Sequence, residues 1–305
     1  MTMNEGRDLL QIDAAQVREI LVRAIRQTGE AITGHTPARW VVNLSGGLDS
    51  AVVCYLAAEA VEPEHVRALL LPYQTSVASS IADALCVVEA LGIEHRHYDI
   101  TAAVAGLYAA KGEDVAQADR HARGNVMARM RMIFGYEECE RWGGLLLGTS
   151  NKTEALLGYT TIWGDSASAM NLIADLYKTQ VRQLARHLGV PAAILDKAPS
   201  ADLQPGQTDE TDLGHTYFAL DQVLVRFIDH LMHPDDIVAD LQAAMPGAAD
   251  WPGCVQKLCG LATETTMRPG LVDVMEYKRR LTPLVPQVSR ATIELAYCPP
   301  KQWGR

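Results

Sequence analysis

The chain has 305 residues, 48% hydrophobic and 21% charged, a balance that suits a globular enzyme of one large α/β domain or two small ones. Its 27 lysines and arginines face 37 acids, and a net charge of −10 repels phosphate backbones on average, which argues against a nucleic-acid partner. No run of about 18 apolar residues exists to span a membrane, and the polar start Met1-Thr-Met-Asn-Glu-Gly-Arg-Asp8 lacks the order of a signal peptide, so a cytoplasmic protein is expected.

Residues 8 to 33 predict an amphipathic helix, with Leu10, Val17, Ile20, Leu21, Ala24 and Ile25 on one face. Arg39 to Leu44 reads as a strand running into Ser45-Gly46-Gly47, and helical character resumes over 49 to 61. Val66 to Leu71 is a second strand closed by Pro72. Val77, Ile81, Leu85, Val88 and Leu91 then recur at helical spacing until Gly92 stops them. His95 to Asp99 and Gly144 to Gly148 are the third and fourth strands. His95 and His97 share a strand face, and their spacing is that of a plain strand surface rather than a metal site. After about residue 170 the pattern is helical, with one helix ending at Gly189-Val-Pro191 and another over 209 to 231, opened by Thr208-Asp-Glu210. The six cysteines, Cys54, Cys86, Cys139, Cys254, Cys259 and Cys298, show no CxxC spacing and read as reduced thiols. Strands alternating with helices imply a mostly parallel sheet, with ligands at the carboxyl ends of its strands, where Ser45 and Thr149 fall.

Ser45-Gly46-Gly47-Leu48-Asp49-Ser50 joins a strand to a helix of small and apolar residues. Its glycines permit close backbone approach, and their N–H groups with the helix start make a concave anion site. Ser45 and Ser50 can donate hydroxyls to the same phosphates. Asp49 would repel phosphate unless a cation lay between them, which makes it a Mg²⁺ ligand candidate. No lysine follows the glycines as in the Walker loop, and SGGxDS matches the signature of the PP-loop pyrophosphatases, which cleave ATP to AMP and pyrophosphate.

Four further segments narrow the resemblance: Gly124-Asn-Val-Met-Ala-Arg129-Met-Arg131-Met132, Gly148-Thr149-Ser-Asn-Lys-Thr-Glu154, Asp175-Leu-Tyr-Lys178-Thr-Gln-Val181, and Lys197-Ala-Pro-Ser200-Ala-Asp202-Leu followed by Gly206-Gln-Thr-Asp-Glu210. With SGGLDS, in this order and spacing, they resemble the ammonia-dependent NAD⁺ synthetases from about residue 10 to Arg280. The resemblance implies an adenine-nucleotide alpha-hydrolase-like, Rossmann-like α/β fold: a parallel sheet flanked by helices, with helical C-terminal additions. It implies one domain over 1–305, with a core of about 35–205 and a helical part of about 206–290. It places Asn43, Leu44, Ser45, Gly46, Gly47, Leu48, Asp49 and Ser50 in the ATP phosphate loop, with Thr149, Lys178 and Ser200 as further ATP-binding positions. Asp49 and Glu154 match its Mg²⁺ ligands, and Arg129 and Lys278 its substrate-binding cations. Asp49, Glu154 and Lys178 would then carry catalysis. Each of these residues alone also fits a plainer reading, a solvated charge or a helix-start carboxylate.

The chain departs from the family's pattern where the acid substrate would sit. Ile162 and Ala169 stand where the family has a substrate-binding Lys and Asp, Tyr277-Lys278 replaces a His-Lys pair, and Asn43 replaces a glycine. The implied reaction is adenylation of a carboxylate by ATP with release of pyrophosphate, then amidation by ammonia, with deamido-NAD⁺ as the first candidate acid. A paralogue amidating a different acid, or a non-catalytic nucleotide-binding protein, stays open. Thr2 is not a nucleophilic Cys, so free ammonia or a separate glutaminase is expected to supply nitrogen, and the family implies a homodimer.

Overall fold

The computed structural model describes residues 8–199, 208–262 and 267–279. Helix α1 (Ala14–Thr33) starts six residues later than the periodicity suggests, because the Asp13 carboxylate accepts from Gln16 N and so fixes the start; Gly34 ends the helix in the left-handed region. Next come β1 (Trp40–Asn43), α2 (Leu48–Val61), β2 (Val66–Leu70), α3 (Ala78–Leu91), β3 (Glu94–His97), α4 (Thr101–Ala110) and α5 (Arg120–Trp142). The chain continues through β4 (Leu145–Gly148), α6 (Lys152–Leu157), β5 (Met170–Asn171), α7 (Lys178–Leu188) and α8 (Ala192–Leu195). Beyond residue 208 lie α9 (Asp209–Leu213), α10 (Tyr217–Leu224), α11 (Pro234–Ala244) and α12 (Trp251–Cys259). A short hairpin, β6 (Gly260–Ala262) and β7 (Met267–Pro269), follows, then α13 (Leu271–Val274) and α14 (Glu276–Arg279).

The five-stranded sheet has the order β3-β2-β1-β4-β5, parallel throughout. Chain order runs outward from β1 to β2 and β3 on one side and to β4 and β5 on the other. The crevice above the carboxyl ends of β1 and β4 is therefore the topological switch point, where such sheets take their ligands. Strand alternation splits the core. Trp40, Val42 and Leu44 face a cluster with α1, α2 and α7, whereas Val41 faces α4 and α5 with Leu69 and Leu146. Helix α2 is apolar nearly all round and correspondingly buried.

The helices beyond residue 208 build a separate cluster around Leu220, Val223, Leu224, Trp251 and Leu258, and Leu10, Leu157 and Tyr177 of the preceding part pack into it. One continuous helix over 209–231 is not what forms. Gly214, at φ 72°, terminates α9, and Thr216 recaps the chain by accepting from Ala219 N. The end of α10 widens into a π-turn over Val225–Asp229. The third strand runs from Glu94 to His97, both predicted histidines on its exposed surface, and not from His95 to Asp99. Among the described residues no helix is long and apolar enough to cross a membrane, and the five cysteines are unpaired. Ser200, the residues past 279 and Cys298 lie outside the described residues.

Candidate active site

The phosphate loop is held open by its own residues. Gly46 adopts φ +77°, and a Cβ there would lie 2.0 Å from the Ser80 carbonyl oxygen, so only glycine fits. Gly47 caps α2 and offers no side chain to its first-turn amides, leaving them directed at the crevice. Ser50 Oγ donates to Gly47 O at 3.1 Å and accepts from Ser45 N at 3.2 Å, and Gly47 N donates to Ser45 Oγ at 3.2 Å. The two serines thus tie the loop into a concave turn at the positive end of α2.

Asn43, Leu44, Ser45, Gly47, Leu48, Asp49, Ser50, Thr149, Glu154, Lys178 and Lys278 line one cavity of about 600 Å³, and Gly46 does not. At its floor the Lys178 ammonium donates to Asp49 Oδ2 and, at 3.5 Å, to Glu154 Oε1. Lys178 is 4% exposed. Burial alone would lower its pKa, but Asp49 and Glu154 more than reverse this and hold it above the ordinary lysine range. Burial pushes the Glu154 carboxyl above the usual carboxylate range, Asp49 adding repulsion and Lys178 opposing both. Glu154 is oriented by a capping box: its backbone N donates to Asn151 Oδ1 at 3.0 Å, and Asn151 N donates to its Oε2 at 3.2 Å. Asp49 Oδ1 is buried without a hydrogen-bond partner. Such an oxygen suits a cation, and two protein carboxylates with substrate oxygens are a usual Mg²⁺ shell.

Asp209 also faces this cavity, which its position at a helix start concealed. It lines the same cavity, accepts from Tyr217 OH at 3.1 Å and keeps Oδ1 buried and unpartnered. Its carboxyl is raised by burial, against the pull of Lys178. The Tyr217 ring lies 5.1 Å from the Lys178 ammonium. Asn43, in place of a glycine, donates through Nδ2 to Arg131 O at 3.2 Å and so ties the end of β1 to α5.

The wall away from the phosphate loop is the segment after α6. Lys278 donates to the carbonyls of Gly158, at 2.7 Å, and Thr160, at 3.0 Å, and Arg129 Nε donates to that of Ile162 at 3.2 Å. Burial lowers the Lys278 pKa, with Asp165 opposing. Arg129 is exposed and does not line the cavity, whereas Arg131, two residues further along α5, does, donating to Leu71 O at 3.1 Å. Neither Ile162 nor Ala169 lines the cavity; Gly158, Tyr159, Thr160, Thr161, Gly164 and Asp165 do.

The NAD synthase family profile matches residues 20–249. An NH₃-dependent NAD⁺ synthetase of Trichlorobacter lovleyi is 40% identical over 296 residues, covering 97% of this chain and 99% of that protein. One from Chlorobaculum tepidum is 48% identical over 231 residues, 76% of this chain and 81% of its own. Among solved structures, an NMN synthetase from Francisella tularensis superposes with a TM-score of 0.71 at 29% identity, over 90% of this chain and 99% of that one. A nucleotide loop at the sheet's switch point, one buried lysine between two carboxylates, and relatives matched nearly end to end agree: this chain belongs to the NAD synthase family.

Proposed function

We propose that this chain is an ammonia-dependent, AMP-forming carbon–nitrogen ligase that converts deamido-NAD⁺, ATP and ammonia to NAD⁺, AMP and pyrophosphate. The observation that carries the reading is Lys178, buried between Asp49 and Glu154 at the mouth of the SGGLDS loop, in a chain 40% identical to an NH₃-dependent NAD⁺ synthetase over nearly its whole length.

The loop amides and the hydroxyls of Ser45 and Ser50 take the triphosphate, with Thr149 and Ser200 as further contacts. Mg²⁺, held by Asp49 and Glu154 with phosphate oxygens, would neutralise the triphosphate and the departing pyrophosphate. Lys178, its proton secured by two carboxylates, adds a fixed positive charge where the leaving group gains negative charge. The substrate carboxylate attacks the α-phosphorus, the bond to pyrophosphate breaks, and an acyl adenylate forms. Ammonia then attacks the acyl carbon, AMP leaves, and the amide nitrogen sheds a proton. Arg129 and Lys278 act by setting the wall against which the acid lies, and Arg120 and Arg131 are the arginines of α5 that line the cavity. Free ammonia or a separate glutaminase supplies the nitrogen.

A homodimer joined through the outer face of α5 goes with this reading. Arg129, Ile133 and Tyr136 form a stripe there, Ile133 half exposed, beside Trp163 at 54% exposure. The similarity to an NMN synthetase favours one second reading, amidation of a smaller acid mononucleotide. Chromatography of products from ATP, Mg²⁺ and ammonia with either acid decides. AMP and pyrophosphate with the dinucleotide are expected; faster turnover of the mononucleotide would shift the substrate, and ADP with phosphate would overturn the reading.

A further inference from the structure

The helices that carry Glu154 and Lys178 are joined by a residue that touches neither side chain. Tyr177, the N-cap of α7, makes no side-chain bond to the first-turn amides, and an unmet amide at a buried helix start costs about 1–3 kcal/mol. Those amides are met from other elements. Lys178 N donates to Thr153 Oγ1 at 3.0 Å, and Thr179 N donates to Asp221 Oδ2 at 2.8 Å. Thr153 Oγ1 in turn donates to Asp221 Oδ1 at 2.5 Å. Asp221 belongs to α10 and is fully buried, and its two bonds are to a hydroxyl and a backbone amide, both uncharged. A buried carboxylate so placed is a costly way to fill space. It is an effective way to bind the positive end of α7 while holding the residue next to Glu154.

We propose that Asp221 is a positioning residue of the ligase centre: by bridging Thr153 on α6 to the start of α7 it fixes Glu154 and Lys178 relative to each other and to the phosphate loop. This rests on the ligase reading above. On it, α10 acts on the chemistry through one carboxylate that does not itself line the cavity.

Asp221→Asn keeps the shape but replaces one acceptor oxygen with a donor, so it cannot take both protons. With the wild type first shown to release AMP, kcat is expected to fall by about tenfold to a hundredfold, while KM for the acid shifts by less than about threefold. On a Lys178→Arg background the same change is expected to cost less than about twofold, because Asp221 works through the centre already disturbed. Thr153→Val should reproduce the loss and Thr153→Ser should recover most of it, a pair that carries the test even if Asp221→Asn fails to fold. Wild-type kcat in Asp221→Asn or in Thr153→Val, or a loss as large on Lys178→Arg as on wild type, would overturn the proposal. Should the wild type release no AMP, the ligase reading fails by itself. The bridge is then read by hydrogen exchange of the Lys178 and Thr179 amides, expected to be at least about tenfold faster in Asp221→Asn, and unchanged exchange overturns it.

Discussion

Asp49 meets the Lys178 ammonium with Oδ2, and on the proposed reading its unpartnered Oδ1 would take a cation brought with the triphosphate. Asp49→Asn should lower turnover by at least about a hundredfold, read in steady-state assays across a Mg²⁺ series; an undiminished rate removes Asp49 from the site. A second residue-scale expectation concerns acid. Burial pushes the Asp221 carboxyl up to about 6, opposed by its bonds from Thr153 and Thr179 and by the charge of Lys178. Its ordinary value is 3.8, so between that value and about 6 the folded chain binds the proton more tightly than the unfolded chain does. This contribution to stability is therefore present at low pH and is lost as pH rises through that window. Urea unfolding from pH 4 to 6.5 should show wild type losing stability relative to Asp221→Asn; parallel curves would contradict it. That Asp49, Glu154 and Lys178 meet was legible because they sit in contiguous motifs. Asp209 and Asp221 were not, since a helix-start acid and an acid inside an apolar helix look like capping and solvation until the fold supplies Tyr217, Thr153 and Thr179.

Elements were readable where a cap marks them. Gly92 and Gly189 end α3 and α7 as their positions suggest. The split between α9 and α10 was hidden by an apolar period that continues across Gly214 and Thr216, and β5, two residues long, has too little pattern to register. The order of the sheet and the inward turn of Arg131 rather than Arg129 are tertiary facts: two residues along a helix rotate a side chain by roughly half a turn, and only packing decides which faces in. The seam between β2 and α5 holds the clearest element-scale expectation. Arg67, buried on β2, pairs with Glu138 of α5 at 2.7 Å and with Glu94 of β3 at 2.5 Å, its guanidinium 4.1 Å from the centre of the Trp142 ring. Arg67→Ala would strand Glu138, 1% exposed, with only the Tyr98 hydroxyl, and should cost about 3–5 kcal/mol in urea unfolding. A change below about 1 kcal/mol would mean that the pair is dispensable.

At the scale of the molecule, the exposed stripe on α5 carries the expectation of a two-fold dimer, the commonest closed assembly. Light scattering at micromolar concentration should give twice 33.3 kDa, and Ile133→Glu, placing charge in an apolar face half open to solvent, should shift it toward the monomer. A monomeric wild type would dismiss that face as the interface. The two roles of Arg129 meet here. From α5's outer side it grips the Ile162 carbonyl, while Lys278 grips those of Gly158 and Thr160. A segment anchored at every second carbonyl takes much of its course from those anchors, and the side chains of Thr161, Asp165 and Ser166 fix the rest, with no bond from that of Ile162. The side chain of residue 162, which does not line the cavity, can therefore vary without the wall collapsing. On the proposed reading one anchor also stands in the face through which two copies would meet, so the outline of the acid pocket and the joining of subunits would draw on the same arginine.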